Sequence, residues 1–178
     1  SSLPRPRPRT QDHARDAERG HTRKGQQYYC GAKAHLEVDA ASGLVHSTTT
    51  TAANVADITA TGNLLHGEEV AVVADAGYTG AAQRAEWKDR EVTWYIAAQR
   101  GTIAAWPDGQ SKDLIKQIEQ LKAQVRSRVE HAFHIIKDRF HHRKRRYQGL
   151  KKNAAQHEGL CALANLIIVK KALSLIHI

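Results

Sequence analysis

The sequence predicts an α/β fold in which helices flank a small sheet, and three features of the chain support this. Residues 28–51 hold two strand-like segments, rich in aromatic and β-branched residues, around a short turn, which is typical of a β-hairpin. Residues 70–74 are wholly apolar, which is typical of a strand buried on both faces. Residues 111–140 carry apolar side chains three, four or seven positions apart, which predicts a long helix with one buried face.

The first third of the chain contains the predicted hairpin and the start of a helix. Residues 1–25 are rich in proline and arginine, so we expect a polar lead-in that is extended or disordered. The predicted strands cover residues 28–39 and 44–51, with a turn over residues 40–43. Asn54 is a favourable N-cap for a helix that carries Val55, Ile58, Leu64 and Leu65.

Strands and helices alternate through the rest of the chain. Residues 76–80 include two glycines and predict a tight turn after the apolar strand, which leads into a short helix over residues 81–89. Residues 91–97 are the next predicted strand, followed by a loop and the helix at residues 111–140. A last helix over residues 153–173 completes the expected order.

Positive charge is concentrated in one part of the chain. The formal net charge is +9, and residues 122–152 hold eleven Lys or Arg against two acids, so this segment accounts for the whole excess. A basic segment this focused predicts a polyanionic partner, nucleic acid first. It lacks the apolar face of an interfacial membrane helix, and the longest apolar run, residues 160–169, is too short to span a bilayer. Cys30 and Cys161 fit no metal or redox spacing, so we expect buried free thiols in a reducing cytoplasm.

Two carboxylates, Asp75 and Glu130, are the residues best placed for chemistry. Asp75 directly follows the apolar strand, at the edge where open α/β sheets bind ligands. Glu130 lies on the long helix between Arg126 and Lys137, at helical spacing. Paired carboxylates beside concentrated positive charge favour phosphoryl chemistry with a two-metal Mg²⁺ site. The structural alternatives remain open here: Asp75 as a turn cap and Glu130 as a member of helix ion pairs.

The histidines do not form a recognisable zinc pattern, although there are eleven of them. His131 and His134 lie three positions apart and His141 and His142 follow, but no cysteine partners them and no His-Glu-x-x-His motif occurs. We therefore interpret them as part of the basic surface or as ordinary helix positions. The phosphate-binding lysine loop, the Gly-x-Gly-x-x-Gly motif and the Gly-x-Ser-x-Gly motif are also absent, which argues against nucleotide-binding and acyl-transfer enzymes.

Several motifs along the chain match one enzyme family. They are Lys33-Ala34-His35, Gly43-Leu44-Val45-His46, Thr51-Ala52-Ala53-Asn54-Val55-x-Asp57, Ala74-Asp75-Ala76-Gly77-Tyr78-x-Gly80 and Arg126-x-x-x-Glu130-x-x-x-x-x-x-Lys137. Over residues 14–172 the chain resembles a DDE-type insertion-sequence transposase of the IS-five-like branch of the IS-four superfamily. The fourth motif resembles the segment with that family's second catalytic Asp, and the fifth resembles its C-terminal signature. A tyrosine of that signature is replaced here by Ala123.

The resemblance implies a fold, an activity and a set of roles. The implied fold is a ribonuclease-H-like mixed sheet flanked by helices, with the catalytic Glu on a long C-terminal helix. The implied activity is metal-dependent cleavage and strand transfer at terminal inverted repeats and target DNA, carried out by a homo-oligomer at the bacterial nucleoid. Asp75 and Glu130 would be catalytic residues and Mg²⁺ ligands, while Arg126 and Lys137 would hold DNA phosphates. We also assign the following basic run to DNA contact, namely Arg143, Lys144, Arg145 and Arg146.

One part of the family pattern is missing. The family's first catalytic Asp lies on a strand upstream of Lys33-Ala34-His35, and the polar lead-in contains no such strand. We therefore expect residues 26–172 to be an N-terminally truncated catalytic domain that is inactive alone, and we expect Asp39 to be structural. Residues 173–178 back-translate to the transposon-end adapter of sequencing libraries, so we assign them no function.

Two other classes of protein stay open. A non-catalytic DNA-binding protein derived from a transposase domain would need only the basic segment. Another ribonuclease-H-like nuclease, such as a junction resolvase, would prefer branched DNA. Phosphate contacts from Arg and Lys position DNA without specifying its bases, so the recognised sequence is not predicted.

Overall fold

The computed structural model describes residues 20–24, 27–144 and 146–176, with side chains described over 31–99, 101–144 and 146–174. The mixed α/β class is confirmed. In chain order the elements are β1 (Gly20–Lys24), β2 (Gln27–Val38), β3 (Val45–Ala52), α1 (Thr61–Leu64), β4 (Ala71–Ala74), β5 (Thr93–Ile96), α2 (Arg100–Ala104), α3 (Gln110–His134) and α4 (Leu150–Ile176). A π-helical turn, Ile135–Arg139, extends α3.

The predicted hairpin is present as the antiparallel pair of β2 and β3. Asp39 closes its turn, because Oδ2 of this residue accepts hydrogen bonds from the backbone N–H and the hydroxyl of Ser42, at 2.7 and 2.5 Å. Gly43 has φ of 74°, a conformation that favours glycine. These contacts are those of a turn residue, as expected for Asp39.

The predicted and observed limits of the structured segments differ near both ends of the chain. β1 pairs antiparallel with β2, so residues 20–24 are a strand inside the segment predicted as a lead-in, whereas residues 1–19 lie outside the described residues. α4 runs to Ile176 and passes the boundary predicted at residue 172. No helix in the described part of the chain is long and apolar enough to cross a membrane.

β4 and β5 form a separate two-stranded parallel sheet. The sequence predicts that β4 is buried on both faces, and this prediction is wrong. Val70 before the strand is 80% exposed, and Ala71 within it is also exposed. Within the described residues β4 pairs only with β5, so one strand edge has no neighbour. An apolar run predicts apolar surface, but it does not determine how many neighbours cover that surface.

Two predicted helices are shorter than expected. Asn54 does not cap a helix: a 3₁₀ turn, Asp57–Ala60, follows Ala56 and leads directly into α1. The helix predicted over residues 81–89 is reduced to the 3₁₀ turn Ala81–Gln83, followed by further turns. Helices shorter than about 12–15 residues are marginally stable by themselves, so local turns replace regular helices in these short segments.

The core lies where α4 and the end of α3 pack on the hairpin. Its buried members are Val45, Ala132, Ile135, Ile136, Cys161 and Ala164, with Leu36, Val38, Phe140, Leu160, Ile167 and Ile168 packed around them. Ala132 and Ala164 are fully buried and small, which allows the two helices to lie close to the sheet. Cys161 is a buried free thiol as predicted, and burial raises its pKa to about 11. The side chain of Cys30 lies outside the described residues.

The apolar stripe of α3 is only partly buried, which corrects the prediction for this helix. Ile136, at the C-terminal end, is 2% exposed. Leu114 and Leu121 are 58% and 61% exposed, and Ile118 and Val125 are also exposed. The period of the stripe therefore predicts the helix correctly, but only its C-terminal end is buried in the core that the hairpin and α4 form.

Candidate active site

One cleft gathers most of the residues predicted to act on DNA. It has a volume of about 1190 Å³ and lies between β2, β4 and α3. The predicted residues that line it are Asp75, Arg126, Glu130, Lys137, Arg143 and Lys144. Arg146 is exposed and does not line the cleft, and Arg145 lies outside the described residues.

Asp75 stands at the carboxyl end of β4, where its backbone leaves the strand. Its Oδ1 accepts a hydrogen bond of 2.9 Å from the backbone N–H of Gly77, so the residue caps the turn Ala76–Tyr78. The capping alternative is therefore realised, but it uses one oxygen only. Asp75 is exposed to the cleft, and this hydrogen bond leaves its second oxygen available to a ligand.

Asp57 is a second carboxylate beside Asp75, and it was missed as a site residue by sequence reasoning. A Cβ on Gly77 would stand 3.0 Å from Oδ1 of Asp75 and 3.2 Å from Oδ2 of Asp57. Oδ1 of Asp75 and Oδ2 of Asp57 therefore lie at most about 6.2 Å apart. Asp57 also forms an ion pair of 3.0 Å with Nζ of Lys33, which donates a second hydrogen bond to the carbonyl of Val55.

The paired aspartates affect the tyrosine that follows them. Burial, then the charges of Asp57 and Asp75, raise the pKa of Tyr78 to about 12. Its hydroxyl consequently stays protonated at neutral pH and keeps its hydrogen for donation. His35 lines the same cleft, and burial lowers the pKa of His35, although the charge of Asp57 acts against this shift. His35 bonds through Nε2 to the hydroxyl of Thr51 at 2.8 Å.

The sequence left open that Glu130 serves only in ion pairs along the helix, and it does not form them. Within the described residues it makes no salt bridge, either with Arg126 or with Lys137, and it is exposed to the cleft. Lys137 instead places its Nζ 4.9 Å from the centre of the Phe133 ring. The Glu130 carboxylate is therefore free to bind a ligand.

Arg126 carries an unsatisfied buried donor. Its Nε is buried and has no hydrogen-bond partner in the described part of the chain. A buried N–H without an acceptor costs about 1–3 kcal/mol, more when the group is charged. An anionic oxygen in the cleft, such as a phosphate oxygen, would supply the missing acceptor.

A pair of charged residues fixes α3 to the end of β5. Glu119 accepts a hydrogen bond of 3.0 Å from the backbone N–H of Ala98, and Lys122 donates one of 2.9 Å to the carbonyl of Ile96. The two side chains also bond to each other at 2.7 Å. Desolvation, the largest contribution, would raise the pKa of Glu119, but the bonds from Lys122 and Ala98 and the charge of Arg126 lower it. Glu119 is thus held as a carboxylate where α3 meets the end of β5.

The basic segment after α3 is partly neutralised within the chain. Asp138 pairs with the guanidinium of Arg143 and with Nδ1 of His134, the latter at 2.6 Å. The hydrogen bond from Arg143 is the main cause that lowers the pKa of Asp138, so this carboxylate stays charged. DNA would have to compete with Asp138 for Arg143, whereas Lys144 has no such restraint among the described residues.

The cleft has the donors for a hard cation but not a complete cage. Carboxylate oxygens such as those of Asp75 and Glu130 suit Mg²⁺. In the described part of the chain, the compact groups of three His, Cys, Asp or Glu ligands include neither residue. The positions of Asp75 and Glu130 on facing elements of one cleft agree with the predicted arrangement, and their roles remain predictions.

Comparison with known proteins places this geometry in a family. No solved structure matches the chain. Residues 2–166 match the family model described as the transposase DDE domain, a range that includes Asp75 and Glu130. The match does not distinguish branches of the family, so the IS-five-like assignment stays a prediction. Because the matched range covers most of the chain, the chain belongs to the transposase DDE-domain family.

Proposed function

We propose that the cleft is a Mg²⁺-dependent site for DNA cleavage and strand transfer at the terminal inverted repeats of an insertion sequence. One observation carries the proposal: two exposed carboxylates from different elements, Asp75 and Glu130, share a cleft with the unpartnered Nε of Arg126. Membership of the family supports the reaction class. A homo-oligomer acting on the bacterial chromosome belongs to the same proposal.

The side chains divide into metal ligands and phosphate ligands. Mg²⁺ ions bound here would assist the attacking and leaving oxygens of the displaced phosphate. Asp75 offers its second oxygen while the N–H of Gly77 holds the first, and Glu130 offers its carboxylate from α3. Arg126 donates its free Nε to a phosphate oxygen, and Lys137 adds an exposed positive charge about three turns further along.

The two sheets are proposed to be parts of one ribonuclease-H-like sheet. β2 and β3 are antiparallel and β4 and β5 are parallel, and both sheets border the cleft. In the described residues, neither β4 nor the segment of β2 paired with β3 has a further strand beside it. A further strand between β2 and β4 would carry the first catalytic Asp. We propose a single sheet because such a strand would lie next to the cleft.

Asp57 is not proposed as that missing ligand. Its Oδ1 is bound by Lys33 at 3.0 Å, so its charge is already balanced within the chain. We therefore keep the proposal that residues 26–172 form a catalytic domain that binds metal and DNA but does not cut DNA alone. Residues 1–25 and 173–178 are given no part in the reaction.

Metal binding can be tested without any cleavage. Mn²⁺ is a spectroscopic substitute for Mg²⁺, and its binding is followed by electron paramagnetic resonance with Mg²⁺ as competitor. We expect Asp75→Asn and Glu130→Gln each to weaken Mn²⁺ binding on the order of tenfold or more. Asp89→Asn is the matched control, because Asp89 is an exposed carboxylate outside the cleft. Equal Mn²⁺ binding by all four chains would overturn the proposed site.

DNA cleavage is then measured on a terminal-repeat duplex in Mg²⁺. The chain alone is expected to bind the duplex and leave it uncut. Nicking that disappears in Asp75→Asn would support the site but disprove the inactivity of this chain. Nicking that persists in Asp75→Asn and Glu130→Gln would disprove both.

A second candidate is a DNA-binding protein without catalysis. It is favoured by Arg146, which is exposed and lies outside the cleft, so DNA contact need not involve the carboxylates. Binding that falls with salt, ignores Mg²⁺ and is unchanged by Glu130→Gln would select this candidate. A preference for branched DNA over terminal-repeat ends would instead indicate a junction-resolving nuclease.

A further inference from the structure

Three side chains that sequence reasoning left unconnected meet on the wall of the cleft. Glu37 lies on β2, His46 on β3, and His66 in the loop between α1 and β4. One ligand atom from each lies within 4.8 Å of the other two. Oε2 of Glu37 and Nδ1 of His46 are 3.1 Å apart, and the rings of His46 and His66 meet edge to face at 4.8 Å.

A β-bulge brings the first two ligands to one face of the hairpin. Glu37 pairs with Ser47 but Val38 pairs with Val45, so His46 is an extra residue between these two pairs. Without the bulge, His46 would oppose Val38 and share its face of the sheet, which is the core face. The extra residue turns His46 toward Glu37, and bulges next to functional sites often redirect side chains in this way.

The third ligand, His66, lies in a loop whose backbone is hydrogen-bonded to a side chain of the same loop. The carboxylate of Glu69 accepts hydrogen bonds from the backbone N–H groups of His66 and Gly67, at 2.6 and 2.7 Å. Gly67 has φ of 88°, and a Cβ there would collide with the guanidinium of Arg90, 1.5 Å away. The two hydrogen bonds to Glu69 thus hold the backbone at His66, while the ring of His66 is exposed.

The separations suit a small tetrahedral ion. Zn²⁺ binds His nitrogen and carboxylate oxygen at about 2.0–2.2 Å, which puts neighbouring ligand atoms roughly 3.3 Å apart. Glu37 and His46 already stand at 3.1 Å. The ligand atom of His66 lies within 4.8 Å of the other two, so a bound ion would draw this exposed ring closer. Two imidazoles with one carboxylate favour Zn²⁺ over Mg²⁺, which prefers oxygen ligands alone.

We propose that Glu37, His46 and His66 form a Zn²⁺ site that is distinct from the Asp75–Glu130 pair. Three protein ligands leave one coordination position for water. The ion would join the hairpin to the loop before β4, two elements that border the cleft. Zn²⁺ would thereby stabilise that wall of the cleft, and this does not depend on whether the cleft cuts DNA.

The test is a titration of the tag-free chain with Co²⁺, a coloured substitute for Zn²⁺, in excess Mg²⁺ to occupy oxygen-only sites. We expect visible absorption that saturates at one equivalent and is abolished by one equivalent of Zn²⁺. His46→Ala and His66→Ala are each expected to weaken binding at least about tenfold. Glu37→Gln removes the charge with little change of shape, and it should weaken binding as well. Circular dichroism in the absence of metal establishes that each variant is folded.

His134→Ala is the matched control, because its side chain is 63% exposed, as is that of His46, and it too faces a carboxylate. It should bind as tightly as the unchanged chain. Equal binding by folded His46→Ala, or an equal loss in His134→Ala, would overturn the site. A chain carrying both Asp75→Asn and Glu130→Gln should keep its Zn²⁺ affinity, and a tenfold loss there would show that the ion binds the other pair instead.

Discussion

Asn165 on α4 makes two hydrogen bonds to one residue of β3, and removing them is expected to destabilise the whole domain. Its Oδ1 accepts from the backbone N–H of Val45 at 2.8 Å, and its Nδ2 donates to the Val45 carbonyl at the same distance. Val45 is 8% exposed and belongs to the core, next to the bulge at His46. In Asn165→Ala both backbone groups lose their partner.

The size of the effect follows from these two bonds. Each intramolecular hydrogen bond contributes about 0.5–1.5 kcal/mol, so the free energy of unfolding should fall by about 1–3 kcal/mol. For a chain of this length, that corresponds to a Tm lower by roughly 2–12 °C. Because the site is partly buried, water can replace the lost partners only in part.

Urea unfolding followed by circular dichroism measures this change. Leu166→Ala is the matched control, since the neighbouring side chain is 66% exposed and its loss should cost less than about 0.5 kcal/mol. Asn165→Asp retains an acceptor for the Val45 N–H but loses the donor, so it should fall between the two. If Asn165→Ala were as stable as Leu166→Ala, the docking of α4 on β3 described here would be wrong.

Three further perturbations test other parts of the structure. Gly77→Ala places a methyl group 3.0 Å from the Asp75 carboxylate, so Mn²⁺ binding measured by electron paramagnetic resonance should weaken on the order of tenfold. His157 is buried and burial lowers its pKa below 6.5, so its contribution to stability is full above pH 6.5 and is lost as the pH falls below it. The Tm should therefore be lower at pH 5.5 than at pH 7.5, and less so in His157→Gln. Lys122→Met removes the bond to Glu119 and to a β5 carbonyl, which should cost about 1–3 kcal/mol in urea unfolding.

Each of these variants has a control elsewhere in the chain. Gly62→Ala meets only an ordinary contact of 3.8 Å, so its Mn²⁺ binding should be unchanged. His131→Gln alters an exposed histidine and should keep the pH dependence of the unchanged chain. Lys116→Met alters a half-exposed lysine on the same helix and should cost little. If a control variant showed the same change in metal binding, pH dependence or stability as its test variant, the corresponding prediction would be wrong.

The long helix shows what periodicity alone can predict. The spacing of Leu114, Ile118, Leu121 and Val125 predicts a helix and the face on which its apolar residues lie, and both are observed. Their burial is not predictable, because it depends on which element packs there. Only the C-terminal end, around Ile136, meets the hairpin and α4.

Contacts between residues distant in the sequence could not be predicted either, because they also depend on which elements pack together. The position of Asp75 at a strand end follows from the apolar run before it. Its proximity to Asp57 depends on how a 3₁₀ turn sits against the next turn, and the Lys33–Asp57 pair joins residues 24 positions apart. The bulge that brings His46 to Glu37 is a one-residue shift in strand pairing. Residues 47–51 are all Ser or Thr, so their polarity does not reveal the shift.

Cleavage of the polypeptide by bound iron would test the shared metal site most directly. Fe²⁺ in place of Mg²⁺, with ascorbate and peroxide, generates hydroxyl radicals that cut the backbone near the ion, and mass spectrometry locates the cuts. We expect cuts near Asp75 and near Glu130 that excess Mg²⁺ suppresses together and that Asp75→Asn abolishes at both places. Zn²⁺ is added first to occupy the proposed site at Glu37, His46 and His66, which would also bind Fe²⁺. Cuts at only one of the two positions, or cuts there that Mg²⁺ still does not suppress, would contradict a single metal site formed by the end of β4 and α3.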